Sequence, residues 1–137
     1  MKLKTKKILI VIGMVFVFTA GAVSAAIYFN FMVRIDSENA ALVYKYEELN
    51  IEQNLTQEES KILKNIFNNK LLYSGSPSCG FEEDISIKFG SQTFCPACDT
   101  CGTVKLLNKG TYFSISQRER NEIEKIFLKY GAAFPCV

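Results

Sequence analysis

The chain has 137 residues, a formal charge of +2 and no histidine. That length allows one domain. The missing histidine removes Ser-His-Asp and Cys-His catalysis, the HExxH zinc motif and every histidine-containing metal site. The charge is also unevenly placed. Lys2, Lys4, Lys6, Lys7 and Arg34 come first and all fourteen acids follow Arg34, so residues 35–137 hold eleven basic residues against fourteen acids, a net of −3. A mildly acidic domain lacks the electrostatic footprint of a nucleic-acid binder, and no nucleic-acid partner is expected.

Residues 1–7 form a basic leader. Ile8–Phe29 then runs without a charge, and a helix of that length spans roughly 30 Å, the hydrocarbon thickness of a bilayer. The sequence predicts a transmembrane helix over 8–33 that meets membrane lipid. The basic bias before it places the N-terminus in the cytoplasm and residues 35–137 outside. The rival reading is a signal peptide cut near Val23-Ser24-Ala25 or Ser24-Ala25-Ala26, which would release a secreted domain. Against it, the apolar run continues through Ile27-Tyr28-Phe29 and resumes at Phe31-Met32-Val33. Ala20, Gly21, Ser24 and Ala25 would let two helices approach closely, although facing lipid or marking a cleavage site explains them as well.

Residues 34–54 read as a juxtamembrane segment: a short helical piece capped by Asp36 or Ser37, then an extended stretch around Val43–Ile51. Residues 55–137 read as the extracytoplasmic domain. Thr56–Lys70 is expected to be a helix, opened by the capping box Thr56-Gln57-Glu58-Glu59 and carrying Ile62, Leu63, Ile66 and Phe67 on one face. Residues 73–80 have loop composition. Ile85, Ile87 and Phe89 alternate as a half-buried strand, Gly90-Ser91-Gln92 turns the chain, and Thr93-Phe94-Cys95 returns. Val104–Leu107 and Thr111–Ile115 flank a hairpin loop, Asn108-Lys109-Gly110. Ser116–Tyr130 is the last helix, with a second capping box, an apolar stripe of Ile123, Ile126 and Phe127, and a stop at Gly131. The two helices match at an offset of sixty residues, although the segments between them do not. The fold class is α+β: an N-terminal transmembrane helix, then an antiparallel sheet of two hairpins with two amphipathic helices on one face.

The five cysteines, Cys79, Cys95, Cys98, Cys101 and Cys136, all follow the apolar run. An exported domain of this size gains from disulfides. Cys95 and Cys101 bracket a tight stretch, and a bridge from Cys79 would pin the tail at Cys136. The expected pairing is therefore Cys79–Cys136 and Cys95–Cys101, with Cys98 a free thiol at the loop apex. Two other readings use the same residues. Cys95-Pro96-Ala97-Cys98 is a CxxC, the pattern of a thiol–disulfide oxidoreductase, but Asp99–Val104 are turn and strand formers where such a site needs a helix. Cys95, Cys98 and Cys101 have ferredoxin-like spacing, but the next ligand position is Lys105, and zinc would need Cys79 or Cys136 as a fourth thiolate. No cofactor is expected. Glu82-Glu83-Asp84 lacks EF-hand spacing, and no phosphate-binding loop occurs.

The segments SCGF (78–81), FCPACDTC (94–101) and YGAAFPCV (130–137) resemble small membrane-anchored proteins of low-GC Gram-positive bacteria. The resemblance spans about residues 56–137. It implies a bacterial, exported protein and carries no established activity. The combined expectation is a non-enzymatic single-pass membrane protein whose disulfide-stapled domain binds, senses or assembles with another envelope protein.

Overall fold

The computed structural model describes residues 2–135, so Cys136 and Val137 lie outside the described residues. It divides into two compact units, residues 1–32 and 33–137. The first contains one helix, α1 (Lys2–Asn30). Residues 3–30 of α1 are long and apolar enough to cross a membrane, a test that a signal sequence also passes. The hydroxyl of Thr19 donates back to the carbonyls of Val15 and Phe16, at 2.9 and 3.0 Å, so this polar atom within the apolar stretch is satisfied inside the helix.

The second unit is α+β. Its elements are β1 (Ala40–Tyr46), β2 (Leu49–Asn54), α2 (Gln57–Phe67), β3 (Ile85–Phe89), β4 (Gln92–Pro96), β5 (Thr103–Leu106), β6 (Thr111–Ser114) and α3 (Gln117–Lys129). The strands make one antiparallel sheet in the order β2-β1-β3-β4-β5-β6. Side chains alternate across it as a pleated strand requires. Leu42, Tyr44, Ile85, Ile87, Phe94, Val104, Leu106 and Phe113 belong to the single buried core. The helices cover this face: Phe67 of α2 stacks on Phe94 and meets Phe113 edge-on, and Leu63, Ile123 and Phe127 complete the packing.

One sequence expectation fails in residues 34–54. No helix forms after Asp36, and this segment belongs to the domain. Val33 and Ile35 are buried, and β1 and β2 form the first hairpin of the sheet. Pairing energy decides the outcome. Ala40 donates its N–H to Ser60 Oγ at 3.0 Å, and β1 lies between β2 and β3, where its backbone groups find partners that a short solvent-exposed helix would lack. The sheet therefore has three hairpin turns. Both helices are a little shorter than expected, with their caps where the sequence puts them: Thr56 and Ser116 each complete a capping box.

The two capping boxes are cross-linked. Glu59, the box acid of α2, takes Lys129 Nζ at 2.5 Å and the Tyr130 hydroxyl at 2.7 Å from the end of α3. Glu119, the box acid of α3, takes Lys70 Nζ at 2.7 Å, just beyond the end of α2. Each helix start, where an anion is favoured, thus holds a cation from the other helix's finish. Glu59 is 7% exposed. Burial pushes its carboxyl up, but hydrogen bonds from Lys129, the Thr56 amide and Tyr130 outweigh that and bring it down to about 2. Because the folded value lies below the ordinary one, this stabilisation is complete above about pH 4.5 and is lost as pH falls towards 2.

Two predictions test this frame. Denaturant midpoints of the parent and Glu59→Gln should differ at neutral pH and converge as pH falls towards about 2. In the β1–β2 turn, Glu47 has φ 53°, a left-handed conformation that glycine or asparagine adopts more readily. Glu47→Asn should raise stability by about 0.5 kcal/mol, read as a shift in the unfolding midpoint.

Candidate functional site

The loop 97–102 joins β4 to β5 and carries Cys98 and Cys101. The Ala97 N–H donates to the Thr103 carbonyl at 2.9 Å and closes its neck. Inside it, Asp99 uses both carboxylate oxygens: Oδ1 accepts from the Cys101 N–H at 2.9 Å and Oδ2 from the Gly80 N–H at 2.7 Å. Gly102 lies so close to α3's approach that a Cβ there would meet the Ile115 carbonyl oxygen at 2.5 Å, and that residue must be glycine.

On one side of the loop lies Arg120 of α3. Its guanidinium is buried and donates from Nη1 to the carbonyls of Ala97, at 2.8 Å, and Cys101, at 3.0 Å, while Nε pairs with Glu124 at 2.9 Å. The Phe134 ring lies 5.6 Å from the Arg120 guanidinium carbon. On the other side lies a strap, residues 73–84, that crosses the face of the sheet away from the helices. Tyr73 pairs with Tyr112 across the β6 edge, Phe81 packs on Tyr112 at 5.6 Å, and Glu83 pairs with Lys105 at 2.8 Å.

The disulfide joins strap to loop. Cys79 bonds to Cys101, with Cα atoms 5.9 Å apart, inside the range that a bridge requires. The expected pairing is thus corrected. Cys79 is not bridged to Cys136, nor Cys95 to Cys101, and Cys136 itself lies outside the described residues. The partners differ because Cys95, in β4 opposite Lys105, sets its thiol on the Glu82 carbonyl of the strap. Asp99 meanwhile brings the chain around Cys101 to Gly80.

Cys95 and Cys98 are unbridged and buried. The Cys95 thiol donates to the Glu82 carbonyl at 3.1 Å, and the Cys98 N–H donates to the Gly80 carbonyl at 2.8 Å. Burial, reinforced by the neighbouring Cys98, pushes the Cys95 thiol up to about 12. Burial also raises Cys98. An oxidoreductase needs a lowered thiol, normally at a helix N-terminus, whereas Cys95 sits in a strand. The ferredoxin-like trio Cys95, Cys98 and Cys101 is not assembled either, because Cys101 is spent in the bridge. The cysteine–carboxylate group that the structure does bring together is Cys79, Asp99 and Cys101, with the two sulfurs bonded to each other.

Between the loop and α3 runs an open cleft of about 470 Å³. Its walls include Cys98, Thr100, Arg120, Phe127, Leu128 and Phe134. The residue that sequence reasoning missed is Arg120. Its signal was present: it lies three residues before Ile123 and seven before Phe127, a charge set within an apolar stripe.

Arg120→Met should cost about 3 kcal/mol, because two buried carbonyls lose their donor and Glu124 its partner. Removing the bridge in a Cys79→Ala/Cys101→Ala double variant should also cost about 3 kcal/mol on the chain-entropy account. Chemical denaturation of each variant measures both.

No family model matches this chain, and neither a curated protein nor a solved structure matches it.

Proposed function

We propose that the chain is a single-pass membrane protein of the bacterial envelope that displays its α+β domain outside the cytoplasm, where the domain binds another envelope protein. The observation that carries this reading is the Cys79–Cys101 disulfide, in a compact unit that directly follows an apolar helix. Structural disulfides persist in oxidising compartments, and the lysines in the first turns of α1 favour a cytoplasmic N-terminus. The cleft beside the loop supports binding over catalysis. It joins the apolar Phe127 and Phe134 to a few fixed polar groups, and among the described residues no activated nucleophile lines it. The buried, upward-shifted thiols lend the oxidoreductase reading no support.

Protease added to intact spheroplasts expressing the chain should digest residues 35–137 and spare a tag placed before Lys2. Full-length mass should persist in the membrane after alkaline carbonate washing. Protection of the domain refutes the external assignment, and a soluble product starting near Ala26 establishes signal-peptide cleavage instead. For the binding face, Leu128 is 60% exposed and lies on the cleft wall. Leu128→Asp should preserve the fold by circular dichroism and remove any envelope adduct that the parent forms on in-membrane cross-linking. An adduct of unchanged yield would place the contact elsewhere on the domain.

A further inference from the structure

We propose that the Cys79–Cys101 disulfide is a reducible latch on the strap, and that opening it uncovers a second thiol pair, Cys95 and Cys98. The inference depends on the geometry of the domain alone, and it holds whichever side of a membrane the domain occupies.

Three observations converge. First, accessibility runs in the right order. Cys79 and Cys101 are half-buried, whereas Cys95 is 0% and Cys98 4% exposed. A dithiol in solution reaches the bridge before it reaches either thiol. Second, one short stretch of strap lies against both residues, on the thiol of Cys95 and on the backbone of Cys98. It begins at the residue after Cys79: the Gly80 carbonyl takes the Cys98 N–H at 2.8 Å, and the Glu82 carbonyl takes the Cys95 thiol at 3.1 Å. Third, little else holds that stretch. The Glu83–Lys105 ion pair has a Glu83 side chain 64% exposed, and exposed pairs contribute little. Residues 74–76 and 78 are exposed, so the strap buries little apolar surface before the bridge. Besides the bonds that the Gly80 and Glu82 carbonyls accept from Cys98 and Cys95, the remaining ties are Phe81 on Tyr112, Gly80 on Asp99, and the Ile85 and Lys45 N–H groups on the Glu82 and Asp84 carbonyls. A segment with few apolar contacts opens locally at low cost once its covalent tie is gone.

The chemistry balances with a dithiol as the reductant. One of its thiolates attacks a bridge sulfur to form a mixed disulfide, and its second thiol displaces the remaining protein sulfur. Two electrons and two protons end on Cys79 and Cys101, and the dithiol leaves as its own disulfide. With the strap lifted, the burial that holds Cys95 and Cys98 inert is relieved, and a CxxC dithiol faces solvent.

The test uses the full chain in detergent micelles. At each point of a titration with a dithiol reductant the dithiol is removed by anaerobic desalting, the protein is pulsed with N-ethylmaleimide, and peptide mass mapping assigns the label to Cys95, Cys98 or Cys136. Modification of Cys95 and Cys98 should be negligible while the bridge is intact. It should then rise by about tenfold or more, in step with bridge reduction and with the circular dichroism of the fold retained. Cys79→Ala/Cys101→Ala should show the fast rate without reductant. Equal rates in the oxidised and reduced protein overturn the proposal. So do thiols that stay unreactive after the bridge is reduced, or exposure that comes only with loss of the whole fold. If the double variant does not fold, the titration of the parent protein decides by these same outcomes.

Discussion

A guanidinium buried under a loop of six residues fixes the chemistry-bearing end of this domain. Arg120 can be buried because its charge is answered: two carbonyls on Nη1, a carboxylate one helical turn away on Nε, and an aromatic ring near the guanidinium carbon. Beyond Ala97 and Cys98, the loop it clamps has no apolar side chain to bury. It is ordered by its polar partners, Arg120 on one side and Asp99 within. The placement of Cys101 for its bond to Cys79, and the route of the strap beyond, follow from that order.

The reciprocal ion pairs at the helix ends solve a related problem. A capping box satisfies backbone N–H groups with a carboxylate, and when α2 packs on the sheet that carboxylate is nine-tenths removed from water. Alone, Glu59 would favour its neutral form and weaken the cap. A lysine from the neighbouring helix's last turn keeps it charged. In the same arrangement with Lys70, the Glu119 carboxylate is more exposed than that of Glu59 and correspondingly less demanding. Surface charges at the helix termini thus become tertiary ties, and the antiparallel pair of helices is registered by charge as well as by packing.

Much of the frame was legible in the sequence because it is local. Thr56 and Ser116 announce helix starts through neighbours three residues away, and the alternation of Ile85, Ile87 and Phe89 sets one strand face. The membrane-length helix needed only a count of apolar residues. What was misread is non-local. Ala40–Leu42 has helical composition but lies between two strands, one of them more than forty residues away in sequence. The cysteine pairing failed for the same kind of reason. Spacing along the chain says how large a ring would be, and it held no trace of Asp99 drawing Gly80 in beside Cys101. Arg120 and Glu59 mark the intermediate case: each interrupts an apolar stripe visibly, but only the fold supplies the partner.

The point where the domain begins has a mechanical consequence. Val33 is fully buried, donates its N–H to the Lys70 carbonyl at 2.9 Å and accepts from the Asn69 N–H at 2.9 Å. Only Phe31 and Met32 separate it from the last residue of α1. A pull on the apolar helix is therefore not absorbed by a slack tether. It is delivered within two residues to a pair of backbone hydrogen bonds at the end of α2, beside Lys70, whose ammonium holds the start of α3. The load path from α1 to the core runs through the junction of α2 and α3. The covalent clasp between strap and cysteine loop lies elsewhere in the fold, so the stitch that resists reduction and the seam that would bear tension are separate parts of the same small domain.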